Sequence, residues 1–324
     1  MLDLAKPQIR KKDLFLWADF TELSCLTSRD TFISFEEIAD ERWIKGDGIG
    51  GIDIATEDDF SSDEEGNGDP REVGKNDLFN YLKFRQQFFS DNYPFVLDES
   101  GLYINNKIVD NKLSYFYIYL LISSNLSYVS RSHRHFYTSD FECLSATIIR
   151  NIFPDLFKVK IFGTANHPCI HSYTGSRRKK LEYFSKDIHA NIIMDEDELR
   201  RFDSPSGDGG IDIVAWYPFS DKSSHLPVIL AQAGCTSDEE TLINKHYSVL
   251  PHHWGNKLKG PVVLHFMFTP LCYRTANGLF PSPTDFTSVL MDRCRIIDCL
   301  QYNCSKIDFS WMKSANFTKE LYNK

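Results

Sequence analysis

Apolar and polar positions divide the chain into a helical opening and a later part in which short apolar runs alternate with amphipathic stretches. Between Asp13 and Leu26, the residues Leu14, Trp17, Ala18, Leu23 and Leu26 recur mostly at three- and four-residue spacings and predict an amphipathic helix. Ser34 followed by Glu37 resembles a capping box and predicts a short helix over Phe35 to Trp43. Leu78, Tyr81, Leu82, Arg85 and Phe89 predict a further helix over Asp77 to Phe89, and short β-like pieces follow near Phe95 to Leu97 and Leu102 to Ile104. The aromatic run Tyr115 to Ile122 is a buried helix or a buried strand, which periodicity does not separate.

Residues 130–142, SRSHRHFYTSDFE, read as a solvated basic loop ending on Asp140, the expected N-cap of a helix over Phe141 to Ile152. On a strand His133 and His135 would share a face, but no third metal ligand lies nearby. Beyond Pro154 the pattern predicts a strand over Phe157 to Gly163, a helix over Arg177 to Ile188 and strands over Ile211 to Trp216 and Leu226 to Ala231. A helix over Glu239 to Tyr247, a strand over Val262 to Phe268 and a helix over Thr284 to Leu300 complete it. That alternation predicts an α/β layer fold, with a mainly helical N-terminal region over residues 1–110 and an α/β domain over 111–324.

Composition narrows the classes. A chain of 324 residues, 42% hydrophobic and 14% aromatic, can build a real core. A net charge of −9 excludes a protein that coats nucleic acid through bulk charge and leaves only a local basic groove. The run Arg177, Arg178, Lys179 and Lys180 is the candidate for such a groove, with a plain solvated helix start as the alternative. Residues 56–76 are acidic and Gly-rich and read as a flexible loop, while GDGIGGIDI at 46–54 echoes GDGGIDI at 207–213 too briefly to be a repeat. Eight cysteines without a C-x-x-C pair predict free thiols in a reducing cytoplasm. No window approaches the roughly 18 apolar residues that a membrane span needs, so no membrane partner is expected.

The chemistry concentrates in residues 206–236. Ile211 to Trp216 is apolar except for Asp212, and the run Leu226 to Ala231 ends on Gln232. Paired as adjacent strands, they bring a carboxylate and a carboxamide oxygen together, a start on a site for a hard divalent cation. Asp212 could instead cap a turn or pair with Arg293 or Arg295, and Asp208 reads as a turn residue.

Gly209-Gly210-Ile211-Asp212, an apolar strand and then Gln232 at the end of the next strand resemble the catalytic hairpin of the restriction-endonuclease-like, PD-(D/E)XK superfamily. The likeness is to its Mrr-type branch, in which Gln replaces Glu, and it covers about residues 160–300. The strings FGT at 162–164, DIVAWYPF at 212–219, W-x-x-K at 254–257, AD-x-x-EL at 18–23, YPF at 93–95 and DR-x-R at 292–295 are similar to bacterial proteins carrying the same core.

The resemblance implies a small mixed sheet flanked by helices and Mg²⁺- or Mn²⁺-dependent hydrolysis of DNA. It further implies a role in defence against phage or foreign DNA, alone, as a homodimer or beside a defence partner protein. Asp212, Gln232 and a helix acid, Glu182, are then the expected metal ligands. Where the branch reads Gln-x-Lys, this chain reads Gln232-Ala233-Gly234, so the lysine is expected from the following segment, as Lys245 or Lys257. With neither in place, the resemblance implies an inactive nuclease-fold subunit that binds DNA or a partner.

Overall fold

The computed structural model describes residues 2–4, 13–34, 36–37, 70–105, 111–168, 170–203, 210–248, 257–281, 286–303 and 309–322. Asp208, Gly209, Trp254, the Gly-rich echo at 46–54, the acidic residues 56–69 and most of the helix expected over Phe35 to Trp43 lie outside these. Within them Ser34 and Glu37 do bond reciprocally, Glu37 N–H to Ser34 Oγ at 3.2 Å and Ser34 N–H to Glu37 Oε2 at 2.9 Å.

A five-stranded mixed sheet organises the fold. Its strands are β4 (Lys158–Ile161), β6 (Ile213–Trp216), β7 (Pro227–Ala233), β9 (Val262–Phe268) and β10 (Val289–Met291), in the order β10-β9-β7-β6-β4. β4, β6 and β7 pair antiparallel as a meander, β9 then pairs parallel to β7, and β10 pairs parallel to β9. A parallel step needs a crossover, and helix α7 (Glu239–Ser248) lies in the one between β7 and β9. A small ribbon joins β5 (Asn191–Ile192) to β8 (Leu258–Lys259). The fold class is therefore α/β, with a mixed and an antiparallel sheet.

Alternation along the central strands feeds two cores. Ile213, Ala215, Ile229 and Ala231 face the larger one, which contains helices α1 (Leu14–Thr27), α3 (Lys112–Ser124) and α4 (Arg131–Ile152). Val214, Trp216, Val228 and Leu230 face the smaller one, closed by Leu181 and Phe184 of helix α5 (Arg177–Asp187). The described N-terminal residues share the larger core. The antiparallel trio of β1 (Phe32–Ser34), β2 (Phe95–Leu97) and β3 (Gly101–Ile104) and helix α2 (Pro70–Phe89) contribute Ile33, Leu102, Leu78 and Leu82 to the same large cluster as Phe266 and Phe268. Described residues on both sides of the boundary expected at residue 110 thus belong to one cluster.

Three local expectations are corrected. Helix α2 starts at Pro70, so the last part of the acidic loop expected over 56–76 is helical, with proline at the first position, where its missing N–H costs nothing. Residues 131–142 are helix and not a basic loop: Tyr137, Phe141, Leu144 and Ile148 form one buried stripe, so the helical period reaches back past Asp140. Asp140 is no N-cap; its Oδ2 accepts from the Ser314 N–H and hydroxyl, both at 2.7 Å. The helix expected over Thr284 to Leu300 begins only at Arg293, as α8 (Arg293–Asn303), because Val289–Met291 is taken up as strand beside Phe266–Phe268. Asp292 marks the change, accepting from the Arg295 N–H at 3.2 Å in the new helix's first turn.

Tyr115 to Ile122 resolves as helix within α3, capped by Asn111, whose side chain accepts from the Leu113 and Ser114 N–H groups. No helix among the described residues is long and apolar enough to cross a membrane.

Candidate functional site

The site forms where β6 starts and β7 ends. Ile213 pairs with Ala231, so one step further along that register Asp212 stands opposite Gln232. The Asp212 N–H donates to the Ala231 carbonyl at 3.0 Å, and its Oδ2 accepts from the Ala233 N–H at 2.8 Å. Both Asp212 and Gln232 are buried. Neither arginine suggested as a partner for Asp212 is occupied with it: Arg293 binds Asp19, and Arg295 donates to the Leu290 carbonyl at 2.7 Å.

A second acid joins this corner. The Phe162 and Gly163 N–H groups clamp the Asp212 carbonyl at 2.6 and 2.9 Å. The same turn receives Glu142 from α4, whose Oε1 accepts from the Ala165 N–H at 3.2 Å. A Cβ added at Gly163 would stand 2.2 Å from Glu142 Oε1, so the carboxylate occupies room that only glycine leaves. Glu142 lies in the helix expected over Phe141 to Ile152, but the sequence assigns it no role, because nothing local ties that helix to the strand pair. The usable signal was the glycine of FGT, which marks a close approach directly after a strand.

Lys245 and Gly234 are close neighbours. A Cβ added at Gly234 would lie 3.1 Å from Lys245 Cδ and 3.9 Å from its Cε, so the Lys245 stem crosses the space that a side chain at position 234 would use. Lys245, Asp212 and Glu142 all act electrostatically on the thiol of Cys235. Burial raises that thiol far above its ordinary value, and the two carboxylates add to the rise while Lys245 opposes it. Cys235 is thus held as a neutral thiol and no nucleophile.

The other expected residues sit on or beside α5 and the small ribbon. Glu182 pairs with Arg178, Oε1 to Nε at 3.0 Å, and Arg178 reaches Glu196 at 3.5 Å. Lys180 Nζ donates to the carbonyls of Phe162 and Gly163 at 2.7 and 2.8 Å, tying α5 to the turn that holds Asp212. Lys179 is exposed. Lys257 is half-buried beside Arg177, and burial first, then that neighbouring charge, lower its pKa. Of the two lysine candidates, Lys245 is the one placed over Gly234.

The carboxylates of Asp212 and Glu142 and the carboxamide of Gln232 are oxygen donors, the kind that hard cations such as Mg²⁺ or Mn²⁺ take. The room kept for Glu142 by Gly163 fits the same use. Among the described residues no group of three or more His, Cys, Asp or Glu is placed to hold a metal ion. Gly163→Ala is expected to push Glu142 out of the corner while leaving the strands intact. Calorimetric Mn²⁺ titration checks this; an affinity equal to wild type would separate Glu142 from the site.

Comparison with protein-family models, with curated proteins and with solved structures finds no match.

Proposed function

We propose that this protein is a metal-dependent nuclease of the restriction-endonuclease-like kind that hydrolyses phosphodiester bonds of DNA. The observation that carries the reading is Lys245 lying across Gly234, next to the strand pair that bears Asp212 and Gln232. The mixed sheet flanked by helices agrees with the fold that the sequence resemblance implies.

Each residue has a role in this reading. Glu142, Asp212 and the Gln232 carbonyl hold Mg²⁺ or Mn²⁺. Such an ion, when bound, neutralises charge on the phosphate and makes its water more acidic. Lys245, a flexible point charge with three donors, orients the attacking water or steadies the phosphate oxygens. Asp212 is held rigidly by the Ala233 N–H and through its backbone by Phe162 and Gly163, so little reorganisation is required during reaction. Lys179, exposed near the start of α5, would meet the phosphate backbone, whereas Arg178 and Lys180 are engaged within the protein. A role in defence against phage or foreign DNA, in the cytoplasm, follows from the resemblance.

The test is conversion of supercoiled plasmid to nicked or linear DNA by the purified full-length chain. Cleavage is expected with Mg²⁺ or Mn²⁺ and is expected to disappear with a chelator and in Asp212→Ala. Undiminished cleavage in that variant overturns the assignment of the site. Metal-independent DNA binding with no cleavage under either ion would instead identify an inactive subunit of nuclease fold.

A further inference from the structure

A different pair of reactive groups lies away from this corner. Cys272, four residues past the end of β9, and Cys294, in the first turn of α8, hold their sulfurs 3.6 Å apart and are both fully buried. The backbone fixes this approach: the Thr269 N–H donates to the Met291 carbonyl at 2.9 Å and the Arg293 N–H to the Leu271 carbonyl at 2.8 Å. The Tyr81 hydroxyl donates to the Cys272 carbonyl at 3.0 Å and stands 3.9 Å from its sulfur.

The two thiols are chemically unequal. Burial alone would raise Cys272, but the hydrogen bond from Cys294 and the charges of Arg85 and Arg293 outweigh it and lower its pKa. Cys294 is raised by burial and by its bond to Cys272. Of the two sulfurs, Cys272 is therefore the more easily ionised. Cys25 and Cys143, also buried, are pushed up to about 12 and lack that activation.

We propose that Cys272 and Cys294 form an oxidative cross-linking site, at which a hydroperoxide converts the pair into a disulfide tying the end of β9 to α8. The Cys272 sulfur attacks the peroxide, forming an S–O bond as the O–O bond breaks and the leaving hydroxide takes a proton to become water (or, from an organic peroxide, an alcohol). The Cys294 sulfur then attacks the sulfenic sulfur; the S–S bond forms, the S–O bond breaks and water leaves with the Cys294 proton. Two thiols lose two electrons and two protons, and the peroxide takes them up. The link would fasten the helix that carries Arg293 to the sheet, whichever reaction the protein catalyses.

The folded, full-length protein is treated with hydrogen peroxide, quenched, denatured, alkylated and digested. A loss of two alkylatable thiols, a Cys272–Cys294 linked peptide and full reversal by dithiothreitol are expected. In Cys294→Ala the linked peptide is expected to be lost. Should that variant fail to fold, the wild-type peptide map decides alone. Both cysteines remaining alkylatable, or Cys272 joined to any other thiol, would overturn the proposal.

Discussion

Arg293→Ala is expected to lower the stability of the protein by about 3–5 kcal/mol, the scale for removing one partner of a buried ion pair. Arg293 forks onto Asp19, Nη1 to Oδ1 at 3.0 Å and Nη2 to Oδ2 at 2.8 Å, and its Nε donates to the Pro270 carbonyl at 2.9 Å. Arg85 bridges Asp19 and Glu22, at 2.8 Å to each, and all four side chains are fully buried. Tyr93 and Tyr117 donate to Glu22 at 2.7 and 2.9 Å, and Ser124 and Asn125 to Asp19 at 3.0 and 2.9 Å. Two acids and two arginines balance. Taking away one guanidinium leaves a buried carboxylate uncompensated, and against a total of about 5–15 kcal/mol that is a large fraction of the whole.

Urea denaturation is the measurement, read as a lower midpoint with an unchanged slope. Arg200→Ala is the control, because its pair with Asp197 spans 3.9 Å with both side chains mostly exposed and should change stability by less than about 1 kcal/mol. A similar midpoint in both variants would refute the argument. The pH dependence has a defined sign. Burial would raise the Asp19 carboxyl, but Arg293 and Arg85 hold it below its ordinary value. The contribution is present above the ordinary carboxylate range and is lost as pH falls through the depressed folded value.

This network also shows what the sequence could and could not reveal. The strings AD-x-x-EL, YPF and DR-x-R carry Asp19, Glu22, Tyr93 and Arg293, and each is visible in the chain. Their convergence is not, because Asp19 and Arg293 stand 274 residues apart and no local period links them. Strands behaved differently. β6, most of β7 and the second half of β9 are buried on both faces, and all three strands are bounded by turn residues, so their apolar runs are legible to within about two residues. β10 is only three residues long and is decided by its parallel neighbour, a tertiary choice that a helical-looking stretch conceals.

The candidate site divides along the same line. Asp212 and Gln232 are legible because an acid and an amide interrupt apolar runs on consecutive strands. Glu142 is not, because it comes from a helix 70 residues earlier in the chain than Asp212 and meets it only through the turn at Gly163. Lys245 was one of two lysines the sequence could offer, and only the close approach to Gly234 singles it out.

That approach defines the strongest test of the catalytic reading. Lys245→Ala is expected to reduce DNA cleavage roughly 10²- to 10³-fold, the scale on which one preorganised donor acts, while thermal unfolding stays near wild type because the residue is only partly buried. Moving the lysine to the position where Mrr-type sequences carry it should then return part of the activity. Gly234 is not among the left-handed glycines, so its backbone accepts a side chain. The groups a Cβ there would meet are Lys245 Cδ, removed by the first substitution, and Met267 Cε at 2.9 Å, the end of a flexible side chain that can turn aside. Lys245→Ala combined with Gly234→Lys is therefore expected to cleave at least about tenfold faster than Lys245→Ala alone, a return of about 1.4 kcal/mol of transition-state stabilisation. Rates from plasmid nicking under single-turnover conditions provide the comparison. If Lys245→Ala cleaves as well as wild type, Lys245 is not the missing lysine; if the double variant folds and binds Mn²⁺ yet stays at the level of the single one, Lys245 acts from a different place than the one over Gly234.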